Sequence, residues 1–228
     1  MKNILPSDCA ACSLTDRERI CLTPQGKGSK GCPTLGKKKL LKEALNAYEP
    51  AEIREFARQA SVQEGQCYSG RTERPFVLHA TKPRILEICE FAQKMGYTRL
   101  GMAFCSGLSK EAAVVEQILR DRGFEVVSVI CKAGSISKEF IGIEDSEKVY
   151  VSPRPEPMCN PIFQAMALND AETDFNVLLG LCVGHDSLFF KYAKAPTTVL
   201  AVKDRVTGHN PLAAIYNCQS YYGWINKV

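Results

Sequence analysis

Cysteine is the residue type best placed to do chemistry in this 228-residue chain, which carries eleven of them and three histidines. Cys9, Cys12, Cys21 and Cys32 open the sequence with two, eight and ten residues between them. A Cys-x-x-Cys pair brings two thiolates to one ion from a tight turn, and two later cysteines complete a tetrahedron. Gly26, Gly28, Gly31 and Pro33 supply the turns that bring the later pair round. Zinc would use all four thiolates, and so would an iron–sulfur cube; the Cys32-Pro33 step is similar to the end of some cluster motifs. The spacing points to metal and leaves zinc and iron–sulfur open.

A second set is spread along the chain. Cys105, Cys131 and Cys182 each follow an apolar run that reads as a strand, and Cys159 precedes a helix. In an open parallel sheet the carboxyl ends of the strands share one edge, where ligands bind. Those cysteines are then expected in one crevice, with Cys159 joining from a proline-rich loop, as the ligands of an iron–sulfur cluster of the 4Fe–4S kind. Helix N-termini downstream favour the thiolate form. Gly184, His185 and Asp186 follow Cys182 directly, and Lys203, Asp204, Arg205, His209 and Asn210 follow the last strand. Histidine titrates near neutral pH, so His185, His209 and Asp186 are candidates for moving protons. Lys203 and Arg205 are candidates for holding an anionic substrate group. Each has a structural counterpart: a capping loop for His185 and a salt-bridged turn for Lys203–Arg205. Cys89, on the stripe ILEICEFA, reads as core; Cys67 and Cys218 are undecided.

The elements that must position these groups follow from hydrophobic periodicity. Residues 1–40 lack a periodic apolar pattern and read as loop around a metal, a Cys-rich metal-binding segment. Residues 41–97 read as a helical region: Leu40 to Leu45, then Ile53 to Ala60, recur at three-to-four spacing. Pro50 is expected in the first turn of the second of these helices. A polar loop over 65–75 and a helix over 82–94, ended by Gly96, complete the region. Residues 98–228 read as an α/β domain carrying the strand-end cysteine site. Arg99 to Phe104 is a strand, and a helix capped by Ser109 buries Val114, Val115, Ile118 and Leu119. Glu125 to Cys131 is a strand, and SPRPEPMCNP is a loop because proline removes ladder donors. Asn160 caps a helix whose first residue is Pro161, and Phe175 to Cys182 is a strand covered on both faces. Asp186 caps a helix with Leu188, Phe189 and Tyr192 inside, and Thr197 to Val202 is the last strand. The alternation predicts an α/β fold: a small open parallel sheet with helices on both faces, preceded by the cysteine-rich segment.

Composition bounds the function. Hydrophobic residues make up 45% and charged residues 24%, so the chain buries a full core and disorder is excluded. Eleven cysteines cannot all pair, and the start MKNILPSDCAA breaks off at Pro6 before an apolar signal core forms. No apolar run is long enough to span a bilayer. The expectation is a cytoplasmic chain, without membrane association, whose thiols are free for metal. A net charge of +4 does not demand a polyanionic partner. Lysines 27, 30, 37, 38 and 39 lie beside the first cysteines, but no aromatic residue lies before position 41, so a base-stacking platform is missing and nucleic acid is not the expected partner. GKGSKG lacks the spacing of a phosphate loop.

The stretches GMAFCSGLSKEA, VICKAG, MCNPIFQAMALN, NVLLGLCVGHDSLFFKYAKAP and VKDRVTGHNPLAAIY, with the N-terminal CAAC…C…CP segment, cover nearly the whole chain. Together they closely resemble the uncharacterised metal-binding proteins of anaerobes, domain-of-unknown-function family 1847. The resemblance implies metal binding by the matching cysteines, with the GHD and KDRV-x-GHNP loops as part of the site, and brings no reaction with it. Two readings follow. One is an enzyme of small-molecule sulfur chemistry, in which a cluster held by Cys105, Cys131 and Cys182, with Cys159 as swing ligand, leaves one iron open. The other is a non-catalytic zinc or iron–sulfur protein in metal storage, sensing or electron transfer.

Overall fold

The computed structural model describes residues 6–226. By contact it divides into two units, 1–62 and 63–228.

The first unit is a run of turns followed by helices. Its turns are closed by backbone bonds: the Ile20 amide donates to Lys27 O at 3.0 Å and the Lys27 amide to Glu18 O at 2.6 Å. Gly26 makes that closure possible, because a Cβ there would lie 2.5 Å from the backbone of Arg19 and Ile20. Helices α1 (Pro33–Gly36) and α2 (Lys38–Asn46) follow, and then most of α3 (Ala51–Gln66). Pro50 lies just ahead of α3, its carbonyl accepting from the Arg54 amide at 2.9 Å, so it precedes the first turn that the sequence assigns to it. No described residue of the unit is buried. Leu40, Leu41 and Leu45, spaced as an amphipathic stripe, remain about half exposed.

The second unit is a four-stranded, wholly parallel sheet flanked by helices. After a short antiparallel pair, β1 (Tyr68–Ser69) and β2 (His79–Ala80), comes α4 (Arg84–Lys94), ended at Gly96 with φ +70°. Then β3 (Arg99–Phe104), α5 (Ser109–Asp121), β4 (Glu125–Ile130), α6 (Pro161–Asp170), β5 (Phe175–Leu181), α7 (His185–Tyr192) and β6 (Thr197–Val202) alternate, and α8 (Leu212–Tyr216) follows. Strand order is β4-β3-β5-β6. The chain leaves β3 towards β4 on one side, then returns across it to β5, so order reverses between β3 and β5. Both α5 and α6 pack on β3 and β4, and α6 packs on α7. Two helices over the same strands account for β3 being buried on both faces. All seven residues of β5 are buried, as its unbroken apolar run requires. At the base of the sheet, Asp174 accepts from the amides of Thr98 and Arg99, each at 2.8 Å, and its carboxyl is held below the usual range despite partial burial. Arg84 on α4 ties that helix to β6 through Val199 O at 2.7 Å.

Three local expectations change. Ser109 does not cap α5; a 3-10 turn over Ser106–Leu108 leads straight into the helix, and the Ser109 hydroxyl donates back to Ser106 O at 2.8 Å. Val114 is 60% exposed, while Ala112 takes its place beside Val115 and Leu119, because the stripe begins one turn earlier than the β-branched residues suggest. On α7 only Phe189 is buried, with Leu188 and Tyr192 each more than a third exposed: a helix of eight residues turns one narrow face inward. Asp186 lies inside that helix, and Gly184 occupies the cap position.

Candidate functional site

The chemistry converges at the carboxyl edge of the sheet, where the order of strands reverses. Cys105 follows β3, its amide donating to Leu179 O at 3.0 Å; Cys131 follows β4, its amide donating to Phe104 O at 2.8 Å. Cys182 follows β5. Cys159 arrives from the far end of the β4–α6 loop, whose ends are joined by the Asn160 amide donating to Cys131 O at 2.8 Å. Asn160 then caps α6 as its side-chain type predicts, accepting from the Phe163 amide at 3.0 Å. The Sγ atoms of Cys131 and Cys159 lie 3.8 Å apart, and Cys131 Sγ accepts from the Ser106 amide at 3.2 Å. Cys105 and Cys131 are buried, their inner sides packed on a core that includes Leu168, Leu181 and Phe189; Cys159 and Cys182 are half-buried.

Position in β5 is set by one glycine. Gly180 has φ +70°, and a Cβ on it would lie 2.1 Å from Leu108 Cδ1. The register against β6 shifts between Leu179 and Leu181, so the strand bulges at Gly180 just before Cys182.

Cations stand against the sulfurs. Lys203 pulls the Cys105 thiol towards its charged form, and Arg205 Nη2 donates to Cys182 Sγ at 3.3 Å. The thiols nevertheless differ. Cys105 is pushed up to about 12, by its hydrogen bond with Cys131 and by burial, against the opposing pull of the Gly107 amide and Lys203. Cys159 is drawn down to about 6, by its hydrogen bond with Cys131 and by the charge of Lys132, although burial and the charges of Cys182 and Cys105 oppose it. One edge thus carries a held thiol and a ready thiolate.

The predicted polar residues separate into two groups. His185 is half-buried, and burial together with Lys132 and Lys138 lowers its pKa, with Asp186 and Cys105 pulling the other way; the imidazole is neutral near pH 7. Asp186 accepts from the Ser187 amide at 2.8 Å. Asp204 accepts from the amides of Val206 and Thr207 at 3.0 Å each, and His209 Nδ1 accepts from the Asp204 amide at 3.1 Å. Asp204 and His209 therefore build their own loop, and His209 carries its proton on Nε2 when neutral. Among the described residues neither Lys203 nor Arg205 has a carboxylate ion-pair partner, so the salt-bridged turn is not formed.

In the N-terminal unit, Cys9 and Cys21 are exposed and Cys12 and Cys32 half-buried. The Cys12 amide donates to Cys9 O at 3.3 Å. A hydrogen bond from Ser29, with the Leu14 amide and Arg19 behind it, lowers the Cys12 thiol. Ser29 O in turn accepts from the Cys32 amide at 3.0 Å, and Gly28 leaves room for Cys32, whose Sγ would stand 3.1 Å from a Cβ there. Among the described residues no three His, Cys, Asp or Glu side chains stand together as ligands of one metal ion. The donor type at the sheet edge suits a soft metal or a cluster, since sulfur is its most abundant donor atom. A cluster also spreads its ligands over several irons and needs no single point of convergence.

The sequence hid one organiser of this edge. Gln164 on α6 is fully buried, and its Nε2 donates to Phe104 O at 3.2 Å and Val129 O at 2.7 Å, carbonyls one residue ahead of Cys105 and two ahead of Cys131. The only hint is a polar residue inside the apolar run PIFQAMAL. Cys89 is core, as read, and Cys67 is buried with its thiol on Gln63 O at 3.1 Å.

The described residues contain no helix long and apolar enough to cross a membrane. No solved structure matches the chain. It is 39% identical over 217 residues to an uncharacterised protein of Methanocaldococcus jannaschii, covering 94% of this chain and 95% of that one. Residues 32–200, which include Cys105, Cys131, Cys159 and Cys182, match the family described as protein of unknown function DUF1847. The chain belongs to the DUF1847 family.

Proposed function

We propose that this chain is a cytoplasmic metal-binding protein whose strand-end cysteines hold an iron–sulfur cluster of the 4Fe–4S kind and act on a small anionic molecule. The observation that carries the reading is the 3.8 Å approach of the Cys131 and Cys159 sulfurs on the sheet edge that Cys105 and Cys182 share, with Arg205 on the Cys182 sulfur. Cys105, Cys131 and Cys182 would be the ligands, with Cys159 as the exchangeable one. A cluster with one iron not bound to protein would supply a Lewis acid for sulfur removal or transfer. Lys203 and Arg205 would hold the substrate's anionic group, since the nearby Asp204 and Asp186 are occupied by backbone amides. His185, neutral and half-buried, would carry the proton, with Asp186 beside it. His209 would shape the 204–209 loop rather than meet substrate. No nucleic-acid partner is called for.

The N-terminal quartet Cys9, Cys12, Cys21 and Cys32 would be a separate metal site, with zinc the ion that a closed four-thiolate set suits. Support comes from the unit's lack of any buried residue among 6–62, since a segment without a core needs a cross-link to hold one shape.

A second reading, non-catalytic metal storage, sensing or electron transfer, is favoured by one fact: Asp186, Asp204 and His209 each accept from a backbone amide, so that among these candidates His185 alone has no such bond among the described residues. The test is iron, acid-labile sulfide and zinc per chain on protein purified without oxygen, together with its visible spectrum. Iron and sulfide that disappear in Cys105→Ser and Cys182→Ser, with zinc lost only in Cys9→Ser and Cys12→Ser, are the expected result. A colourless protein with zinc alone would end the cluster reading. His185→Gln and Lys203→Met with intact metal and lost turnover would separate the enzyme from the carrier.

A further inference from the structure

Cys131 and Cys159 bracket the β4–α6 loop, and their arrangement carries a second chemistry. Their sulfurs are 3.8 Å apart, and the Asn160 amide on Cys131 O holds the chain ends together. The neck is further zipped by the Met158 amide on Ile136 O at 2.7 Å and the Lys138 amide on Glu156 O at 2.9 Å. A disulfide needs sulfurs about 2.05 Å apart on cysteines whose backbones already lie close. Here the sulfurs begin 3.8 Å apart on backbones already joined by the Asn160–Cys131 hydrogen bond. Access is unequal: Cys131 is 3% exposed, whereas Cys159 is half-buried and open to a small reagent.

We infer that Cys131 and Cys159 form a dithiol site for low-molecular-weight disulfides, with Cys159 attacking and Cys131 resolving. Cys159 Sγ bonds to one sulfur of the disulfide R–S–S–R and expels R–S⁻, which takes the proton lost by Cys159. Cys131 Sγ then attacks Cys159 Sγ and expels the second R–S⁻, which takes the Cys131 proton. Two protein thiols are oxidised, one R–S–S–R is reduced, and two R–SH leave. Ser106 supports the second step, because its amide already donates to Cys131 Sγ at 3.2 Å and so favours negative charge there. Resting on the cluster reading, one consequence follows: sulfurs bonded to each other cannot both ligate metal, so oxidation at this neck and loading of the site exclude each other.

The experiment uses the full chain after metal removal, treated anaerobically with oxidised glutathione and mapped by peptide mass spectrometry. Expected is a Cys131–Cys159 linked peptide as the main product within the second unit. In Cys131→Ser, a glutathione adduct should persist on Cys159; in Cys159→Ser, Cys131 should stay unmodified in the folded protein. Far-ultraviolet circular dichroism confirms folding of each variant. A dominant Cys105–Cys131 link, or no link with Cys159 unreacted, overturns the inference. Metal content is measured separately on untreated protein, so a chain that never holds metal yet forms this link sinks only the cluster reading.

Discussion

Replacing Gln164 by leucine should cost the protein about 1–3 kcal/mol, and the figure can be worked from its contacts. The side chain has no solvent exposure, and its Nε2 serves two carbonyls, Phe104 O at 3.2 Å and Val129 O at 2.7 Å. Phe104 O keeps the Cys131 amide at 2.8 Å, so its loss is one ordinary hydrogen bond, about 1 kcal/mol. Val129 O loses its 2.7 Å hydrogen bond at a partly buried position, about 1–3 kcal/mol. Against this, leucine removes Oε1, a buried atom without a hydrogen-bond partner among the described residues, and recovers about 1 kcal/mol. Urea unfolding followed by far-ultraviolet circular dichroism measures the difference. Gln164→Glu gives a sharper result, because a carboxylate facing two carbonyls in a dry site has no donor of its own. Its folded-state pKa must rise above the unfolded value, so the acid form's hydrogen bond stabilises at low pH and is lost as pH rises. The glutamate variant should therefore be closer to the parent at pH 5 than at pH 8. Leucine within 0.5 kcal/mol of the parent, together with a glutamate variant indifferent to pH, would refute the role given to this side chain.

Gly180→Ala should destabilise by about 2–5 kcal/mol, the sum of left-handed backbone strain and overlap with Leu108, read as a lower urea midpoint; an unchanged midpoint would mean that the bulge is not needed. Cys159 in the metal-free chain should react with iodoacetamide along a profile centred near pH 6, where an ordinary thiol reacts near 8.5. Cys131→Ala, which removes the hydrogen bond that contributes most, should move that profile upwards, and a wild-type profile centred above 8 would contradict the assignment. Phe189→Ala should cost about 3–5 kcal/mol, since Phe189 is the one buried residue of α7, and should release His185 and Asp186 with it; a loss under 1 kcal/mol would show that α7 is held by other contacts.

Much of the edge is legible in the chain because parallel strands announce themselves as unbroken apolar runs. FNVLLGL is buried at every position of β5, and the alternation with capped helices leaves few topologies to consider. Once the strands are parallel, cysteines that follow them must share an edge, whatever their distance in sequence. Pairing of Cys131 with Cys159 was not legible, because it depends on a loop of nearly thirty residues returning to its own root, through bonds such as Met158 to Ile136 that no periodicity encodes. Gln164 was hidden for a related reason: a polar residue in an apolar run reads as a surface position until the carbonyls beneath it are known. The polar residues show the same limit in reverse. GHD and KDRVTGHN look like proton-transfer groups by type, yet three of their members satisfy backbone amides, a job that titratable side chains do as well as serine or asparagine. Spacing could not separate these uses, since loop building and chemistry draw on the same residues. What separates them is whether the side chain already serves a backbone amide, and at this edge His185, Lys203, Arg205 and the sulfurs of Cys159 and Cys182 do not among the described residues.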